Sequence, residues 1–221
     1  MIVVHHLEAS RSQRVLWLLE ELGLEYEIRP YKRDPKTHLA PASLKQVHPL
    51  GKSPVITDGD VTVAESGAIV EYLVGKYGKG RLIPPEGTDA RMRYTFWLHY
   101  AEGSAMPPLL LKFVFQMMPK QSPFWIRPVV QAISRGVCSN FVDPQVATHM
   151  HFWEESLSKS RWFAGDEFTA ADIMMSFPVE LAQSRGGYTG EVSRLQAFLS
   201  AIRERPAYQR AAQRGDFRTL P

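Results

Sequence analysis

At 221 residues with 44 % hydrophobic side chains, the chain is long enough to bury a sizeable core as one large domain or two small ones. Its 26 basic and 23 acidic residues leave a net charge of +3 spread along the chain, which argues against a nucleic-acid surface, and the single cysteine, Cys138, excludes an intrachain disulfide. The apolar block 106–118 is broken by Pro107, Pro108 and Lys112, so no run approaches the roughly 18 residues of a membrane span, and the expectation is a protein with no membrane partner.

The chain opens on a strand pattern over 2–7 with no basic leader before it, so no signal peptide is expected and a reducing cytoplasm is the implied compartment. From Ser12 the period changes: Val15, Leu16, Leu18, Leu19 and Leu22 recur at helical spacing and Gly23 stops the helix. A second strand is predicted over 26–31, with Tyr26 and Ile28 on one face, completing a βαβ unit. A polar segment over 34–47, with a short helix, leads to two strands around Val55-Ile56 and Val61–Val63, separated by Asp58-Gly59 as a type I′ turn. A helix over 66–77 follows, stopped at Gly78. Residues 78–87 are rich in glycine and proline and read as a linker, placed at 80–87 between a unit over 1–79 and one over 88–221. Beyond it strand signals nearly vanish. Helices are expected from Thr88-Asp89, with Pro107-Pro108 as a kink, and over 125–138, 144–158, 169–183, 191–203 and after Pro206. Thr169 and Asp172 stand at N-cap and third position, each placed to satisfy a backbone donor.

The stretch 48–66 is the most informative. Pro54 donates no ladder hydrogen bond and so belongs at a strand entrance, where an X-Pro bond can be cis and leave the backbone of Ser53 facing outward, able to pair with an extended ligand as an added strand does. Glu65-Ser66 falls at a helix N-terminus, whose amides and dipole attract an anion. The segment thus offers a peptide-like ligand a backbone edge and a carboxylate site.

His48-Pro49-Leu50-Gly51-Lys52-Ser53-Pro54 followed by a strand pair and Glu65-Ser66 resembles the glutathione-binding domain of the cytosolic glutathione S-transferases, in which the pattern is Asn/His-Pro-x-Gly-Lys/Gln-x-Pro. Phe168-Thr169-Ala170-Ala171-Asp172-Ile173 is similar to the helix-cap motif of the same family's second domain. The resemblance covers nearly the whole chain, least well over 106–146. It implies an α/β thioredoxin-like N-terminal domain, an all-α C-terminal domain, a homodimer, and glutathione as co-substrate with no metal.

The family's chemistry needs a thiolate. A thiol of pKa about 8.5 is only a few per cent ionised at neutral pH. A hydroxyl and oriented amides that favour the anion by about two units supply roughly 2.7 kcal/mol. In related transferases a Ser, Tyr, Cys or Asn in the first strand–helix turn contacts the sulfur a few residues before an arginine. Matching Arg14 to that arginine selects Ser10, as in the microbial members with serine in this turn, with the amide of Arg11 or Ser12 assisting; Ser12 otherwise serves as the helix N-cap. By the same matching Lys52 faces the glycyl carboxylate, Ser53 before Pro54 pairs its backbone with the cysteinyl unit, Glu65 takes the γ-glutamyl ammonium, Ser66 holds the γ-glutamyl carboxylate, and His38 lies near the glycyl end. Arg11 and Arg14 also suit interdomain ion pairs, and Glu8 is expected to point away from the sulfur. Tyr100, Met106 and Phe113, in a block rich in Met and aromatics, are the candidates for a hydrophobic electrophile site, with residues 217–221 as a cover. His5-His6 sit on opposite faces of a strand, His149 and His151 do not share a helix face, and Cys138 lacks a partner motif, so no metal or nucleophilic thiol is expected. The rival functions are a glutathione-dependent peroxidase or disulfide-bond reductase on the same scaffold, and a non-catalytic ligand-binding protein.

Overall fold

The computed structural model describes residues 1–35, 37–184 and 190–217. Strand β1 (Ile2–Leu7), helix α1 (Ser12–Leu22) and strand β2 (Tyr26–Tyr31) form the expected βαβ unit. A 3₁₀ turn over Ala42–Gln46, strands β3 (Val55–Asp58) and β4 (Val61–Ala64) and helix α2 (Ser66–Tyr77) complete a four-stranded sheet of order β2-β1-β3-β4. β1 is parallel to β2, with Val4 opposite Ile28, and antiparallel to β3, with Val4 opposite Ile56. The Ser53–Pro54 bond is cis, as the position of Pro54 suggested.

α1 lies between the sheet and the helical half of the chain, against α2 on one side, so it is buried nearly all round rather than on one stripe. Val15, Leu16, Leu18 and Leu19 are fully enclosed, and burying each is worth roughly 1.5–3 kcal/mol before the cost of ordering. Gly23 closes the helix at φ 66, a left-handed conformation that glycine adopts without a Cβ penalty, and its amide reaches the carbonyls of Glu20 and Leu19. Gly78 also ends a helix, but from a right-handed φ of −67, with its amide on Val74 O at 2.8 Å.

The hairpin differs from expectation by one residue. Asp58 pairs with Val61, so the loop residues are Gly59 and Asp60, and only Gly59 has positive φ (61°). A type I′ turn needs positive φ at both positions; glycine first fits the II′ pattern instead.

The second half is helical: α3 (Asp89–Tyr100), α4 (Met106–Gln121), α5 (Arg127–Val137), α6 (Asp143–Lys159), α7 (Ala170–Ser184), α8 (Ser193–Arg203) and α9 (Pro206–Gly215). Thr88 caps α3, accepting from the Arg91 amide at 3.2 Å. Two π turns interrupt this array, Ala101–Ala105 between α3 and α4 and Cys138–Val142 between α5 and α6. Each is followed at once by proline, Pro107-Pro108 in one case and Pro144 in the other. A proline ring pushes away the carbonyl four residues back and offers it no N–H, so the turn widens instead of kinking sharply. Buried Lys112 on α4 meets Asp143 across the second wide turn at 3.1 Å.

The Thr169–Asp172 cap forms, but unequally. Asp172 accepts the amides of Thr169 and Phe163, both at 2.8 Å, whereas the Thr169 hydroxyl donates to the same carboxylate at 3.0 Å rather than accepting from the helix. One hydrophobic core runs from Val4 and Leu16 through Trp97 to Ile173, Leu199 and Ala211, joining sheet and helices. α9 returns to α1, with Trp17 edge-on to Tyr208 at 5.1 Å and Arg205 bidentate on Glu21.

Candidate active site

β1 ends at Leu7 and the chain turns into α1 through Ala9, whose φ of 46 is left-handed. Ser10 and Ser12 are both buried there, and their hydroxyl oxygens lie 2.7 Å apart. The expected cap role of Ser12 is not what the geometry contains. Arg11 occupies the N-cap position without a side-chain cap, and the Ser12 hydroxyl turns instead to His6 Nδ1 at 2.8 Å. The Ser12 amide donates to Ser10 Oγ at 3.3 Å, so Ser10 takes part of the capping duty. Glu8 points away as anticipated, accepting the Arg33 amide at 2.8 Å. The guanidinium of Arg33 donates to the carbonyls of Glu8, Ala9 and His38, tying this turn to the exposed loop that carries His38.

Ser53 is anchored to β1: its hydroxyl donates to His5 O at 3.0 Å and accepts the Leu7 amide at 3.4 Å. Lys52 beside it is exposed and Pro54 after it is buried. Glu65 precedes α2 with φ 71 and gives the helix no side-chain cap. A non-glycine residue at positive φ outside a tight turn is sparsely populated, and such positions cluster at functional sites. Ser66, the first residue of α2, is buried and accepts from Arg14 Nη2 at 3.0 Å.

Arg14 is almost completely buried, yet it reaches three elements. Nη1 donates to Met174 O on α7 at 3.0 Å, and Nη2 serves Ser66 and, very closely, Glu102 in the first π turn. Arg11 approaches the same carboxylate at 3.4 Å. Burial pushes the Glu102 carboxyl up, but Arg14 and Arg11 outweigh it and hold the group below the usual range, so the cluster is ionised at neutral pH. Arg14 therefore fills the interdomain role that its sequence position suggested. Glu102 and Arg33 are the residues that sequence reasoning missed. The Pro107-Pro108 pair is a signal for Glu102 in retrospect, because wide helical turns are frequent at functional sites.

The electrophile candidates do not share one surface. Met106 is buried in the common core. Phe113 is half-buried on α4. Tyr100, at the end of α3, accepts from Trp153 Nε1 at 3.1 Å, pairs with His149 Nδ1, and sits among Phe96, Trp97 and Phe152; burial pushes its hydroxyl up to about 12. Neither of two surface hollows contains the Ser10 turn or the Ser53 and Ser66 edge. A cleft of about 880 Å³ is lined by Pro84, Arg93, Phe96, Trp97, Phe152 and Phe168 among others, and one of about 380 Å³ lies between α4 and α5 beside Cys138. Depth is a poor guide to a backbone edge, because an extended peptide that pairs with one lies in a groove and not in a cavity. Residues 218–221 of the suggested cover lie outside the described residues.

Burial and the nearby Asp143 push the Cys138 thiol up, away from reactivity. His5 faces Tyr31, at 3.0 Å, on the side of β1 opposite His6, and His149 is engaged with Tyr100 while His151 is exposed.

Comparison with known families agrees with this frame. The family model "Glutathione S-transferase, N-terminal domain" matches residues 1–75, and "Glutathione S-transferase, C-terminal domain" matches residues 138–206. Glutathione S-transferase 3 of Schizosaccharomyces pombe is 34 % identical over 220 residues, covering 100 % of this chain and 90 % of the relative. Glutathione S-transferase 1 of Saccharomyces cerevisiae is 35 % identical over 193 residues, 84 % of this chain and 82 % of the relative. A crystal structure of a glutathione S-transferase from Actinobacillus pleuropneumoniae superposes with a TM-score of 0.78 at 31 % identity, over 98 % of this chain and 94 % of that one. With such identity along its entire length, the chain belongs to the glutathione S-transferase family and is a glutathione transferase.

Proposed function

We propose that residues 1–79 bind reduced glutathione, that residues 88–221 supply the hydrophobic electrophile site, and that 80–87 link them. Ser10 donates to the thiolate, with the Arg11 amide assisting, since the Ser12 amide is engaged by Ser10 Oγ. Lys52 faces the glycyl carboxylate, with His38 near the same end; the backbone of Ser53 beside Pro54 pairs with the cysteinyl unit; Glu65 takes the γ-glutamyl ammonium. Ser66 and the first amides of α2 hold the γ-glutamyl carboxylate. The observation that carries this reading is the start of α2: Glu65 gives no side-chain cap and Arg14 fixes the Ser66 hydroxyl at 3.0 Å, which supports an anionic ligand at the positive end of the helix dipole. Of the electrophile candidates, Tyr100 and Phe113 are partly exposed while Met106 packs in the core, so we put the electrophile beside Tyr100 or Phe113, and its conjugation needs glutathione alone as co-substrate.

A cytoplasmic homodimer is part of the proposal. Exposed Leu110, Val114, Met118, Val129 and Ile133 on α4 and α5 give it apolar area to cover. The turn over 8–14 contains no cysteine, which argues against a cysteine-based reductase. The test is Ser10→Ala. A hydrogen bond to a charged group is worth about 1.5–3 kcal/mol, so kcat/KM for an aryl halide falls about 10- to 100-fold while glutathione affinity changes by less than about threefold. Unchanged turnover moves the role to Ser12 or to the Arg11 amide, and faster reduction of a hydroperoxide than conjugation favours the peroxidase.

A further inference from the structure

We propose that His6 is the terminal acceptor of a proton relay that starts at the glutathione sulfur and runs through Ser10 and Ser12, so that the bound thiol ionises without giving its proton to solvent. The inference rests on the reading of Ser10 as the hydroxyl beside the sulfur.

The relay is a chain of short links. Ser10 Oγ lies 2.7 Å from Ser12 Oγ, Ser12 Oγ lies 2.8 Å from His6 Nδ1, and His6 Nε2 lies 2.9 Å from the carbonyl oxygen of Gly215. All three side chains are buried. The Gly215 carbonyl can only accept, so Nε2 carries hydrogen and Nδ1 of the neutral ring is an acceptor. Of the two acceptors beside the Ser12 hydroxyl, Nδ1 at 2.8 Å is nearer than the Leu7 carbonyl at 3.4 Å, so Ser12 donates to Nδ1 and its oxygen accepts from Ser10. The Ser10 oxygen accepts the Ser12 amide. Every hydroxyl hydrogen in the resting site therefore points inward, from Ser10 toward His6. An arriving ligand meets a lone pair on Ser10, which suits a thiol and not a thiolate.

Binding of the thiol reverses the chain. The S–H bond breaks and its proton joins Ser10 Oγ; the former Ser10 proton passes to Ser12 Oγ; the former Ser12 proton passes to His6 Nδ1. Three protons shift, none is lost, and the products are a thiolate and an imidazolium. Ser10 now donates its hydrogen bond to the sulfur, the arrangement its proposed role requires. On conjugation the sulfur electron pair forms the C–S bond, the leaving group departs with its own pair, and the imidazolium returns its proton through the two serines to the water that replaces the conjugate.

Burial outweighs the Gly215 carbonyl and Asp216 and holds the His6 ring below its ordinary basicity, so the ring rests neutral and takes up charge only transiently, with those two acceptors offsetting part of the cost. Gly215 is the last residue of α9, so its carbonyl belongs to the negative end of that helix, where a cationic imidazole is favoured. Asp216 is the charged group acting on the ring; Ser12 on α1 is uncharged, and β2 places Pro30 opposite it. The approach of α9 depends on glycine. A Cβ at position 215 would stand 2.4 Å from Leu16 Cδ1 and 2.9 Å from the Phe217 ring. His6 acts through Ser12 and Ser10 and is a positioning residue.

The decisive measurement needs no variant. Glutathione binding to the full-length protein is followed by calorimetry in buffers of different ionisation enthalpy, which counts the protons released, and by the ultraviolet band of the thiolate. The relay predicts the band near neutral pH with much less than one proton released per thiolate. Ser12→Ala and His6→Gln, the latter keeping a donor for Gly215, move thiolate formation up by about one pH unit or more and make release stoichiometric; kcat/KM at about pH 6.5 falls about tenfold or more, with glutathione affinity within about twofold. Ser12→Thr restores most of what Ser12→Ala loses. One proton released per thiolate in the wild type overturns the relay, as does a Ser12→Ala variant that binds glutathione with an unmoved pH profile. Absence of glutathione binding in the wild type overturns the site reading itself, and unaffected Ser10→Ala turnover overturns the assignment of Ser10 and the relay with it, whereas one proton released per thiolate together with impaired Ser10→Ala turnover overturns the relay alone.

Discussion

Removing the carboxylate of Asp172 tests how the helical half is held together. Its two oxygens take the amides of Phe163 and Thr169 at 2.8 Å and the Thr169 hydroxyl at 3.0 Å, and all three residues are buried. Asp172→Ala strands the two amides, each at about 1–3 kcal/mol, or roughly 2–6 kcal/mol together. It also removes a buried charge, since burial pushes the Asp172 carboxyl up to about 6 and the group is ionised at pH 7. A folded value raised above the unfolded one means that the native state takes up the proton first as pH falls. Native stability from this group therefore grows on acidification through about pH 6 and levels off below the unfolded value near 4. Between about pH 7 and 5 the gain integrates to roughly one pH unit, or about 1.4 kcal/mol. Urea unfolding followed by tryptophan fluorescence should place Asp172→Ala about 2–4 kcal/mol below the wild type at pH 7, with a gap about 1.4 kcal/mol wider at pH 5. Equal midpoints at both pH values would refute the anchoring role. A gap that narrows toward pH 5 would refute the sign of the proton linkage.

Glu102→Ala leaves Arg14 buried without its counter-charge and should cost about 3 kcal/mol in denaturant unfolding, whereas Arg11→Ala, at a half-exposed 3.4 Å pair, should cost less than about 1 kcal/mol. Lys76, with Tyr77 and Tyr72, holds the Asp58 carboxyl down at about 2, so its contribution is present above the unfolded value near 4 and is lost as pH falls toward 2; acid unfolding of Asp58→Asn should lack that component. Gly215→Val pushes a side chain into Leu16 and should lower stability by about 1–3 kcal/mol, read as a reduced urea midpoint.

What the sequence made legible was local. Strand and helix periods placed β1, α1 and α2 to the residue, because their apolar spacing and end residues agree with the fold that encloses them. The hairpin shifted by one residue for a long-range reason: the Asp58 carboxylate is taken by Tyr72, Lys76 and Tyr77 of α2, which keeps Asp58 in the ladder and passes the turn to Gly59-Asp60. Ser12 looks like a cap in sequence because caps are short-range, but His6 and Ser10 take its hydroxyl first. An interdomain ion pair was legible for Arg14, but no local pattern names its partners at 66, 102 and 174. His6 reads only as one of two strand histidines until α9 arrives from the far end of the chain.

That last meeting has a temporal consequence. Residue 6 leaves the ribosome 209 residues ahead of its partner at 215, with Arg205 at the start of α9 and Arg210 and Arg214 within it fastened to Glu20 and Glu21 of α1 along the way. The amino-terminal sheet thus waits, with the His6 ring short of its Gly215 partner, until α9 has been made. Nascent chains stalled before α9 carry β1, α1 and β2 but not the latch that α9 closes behind them.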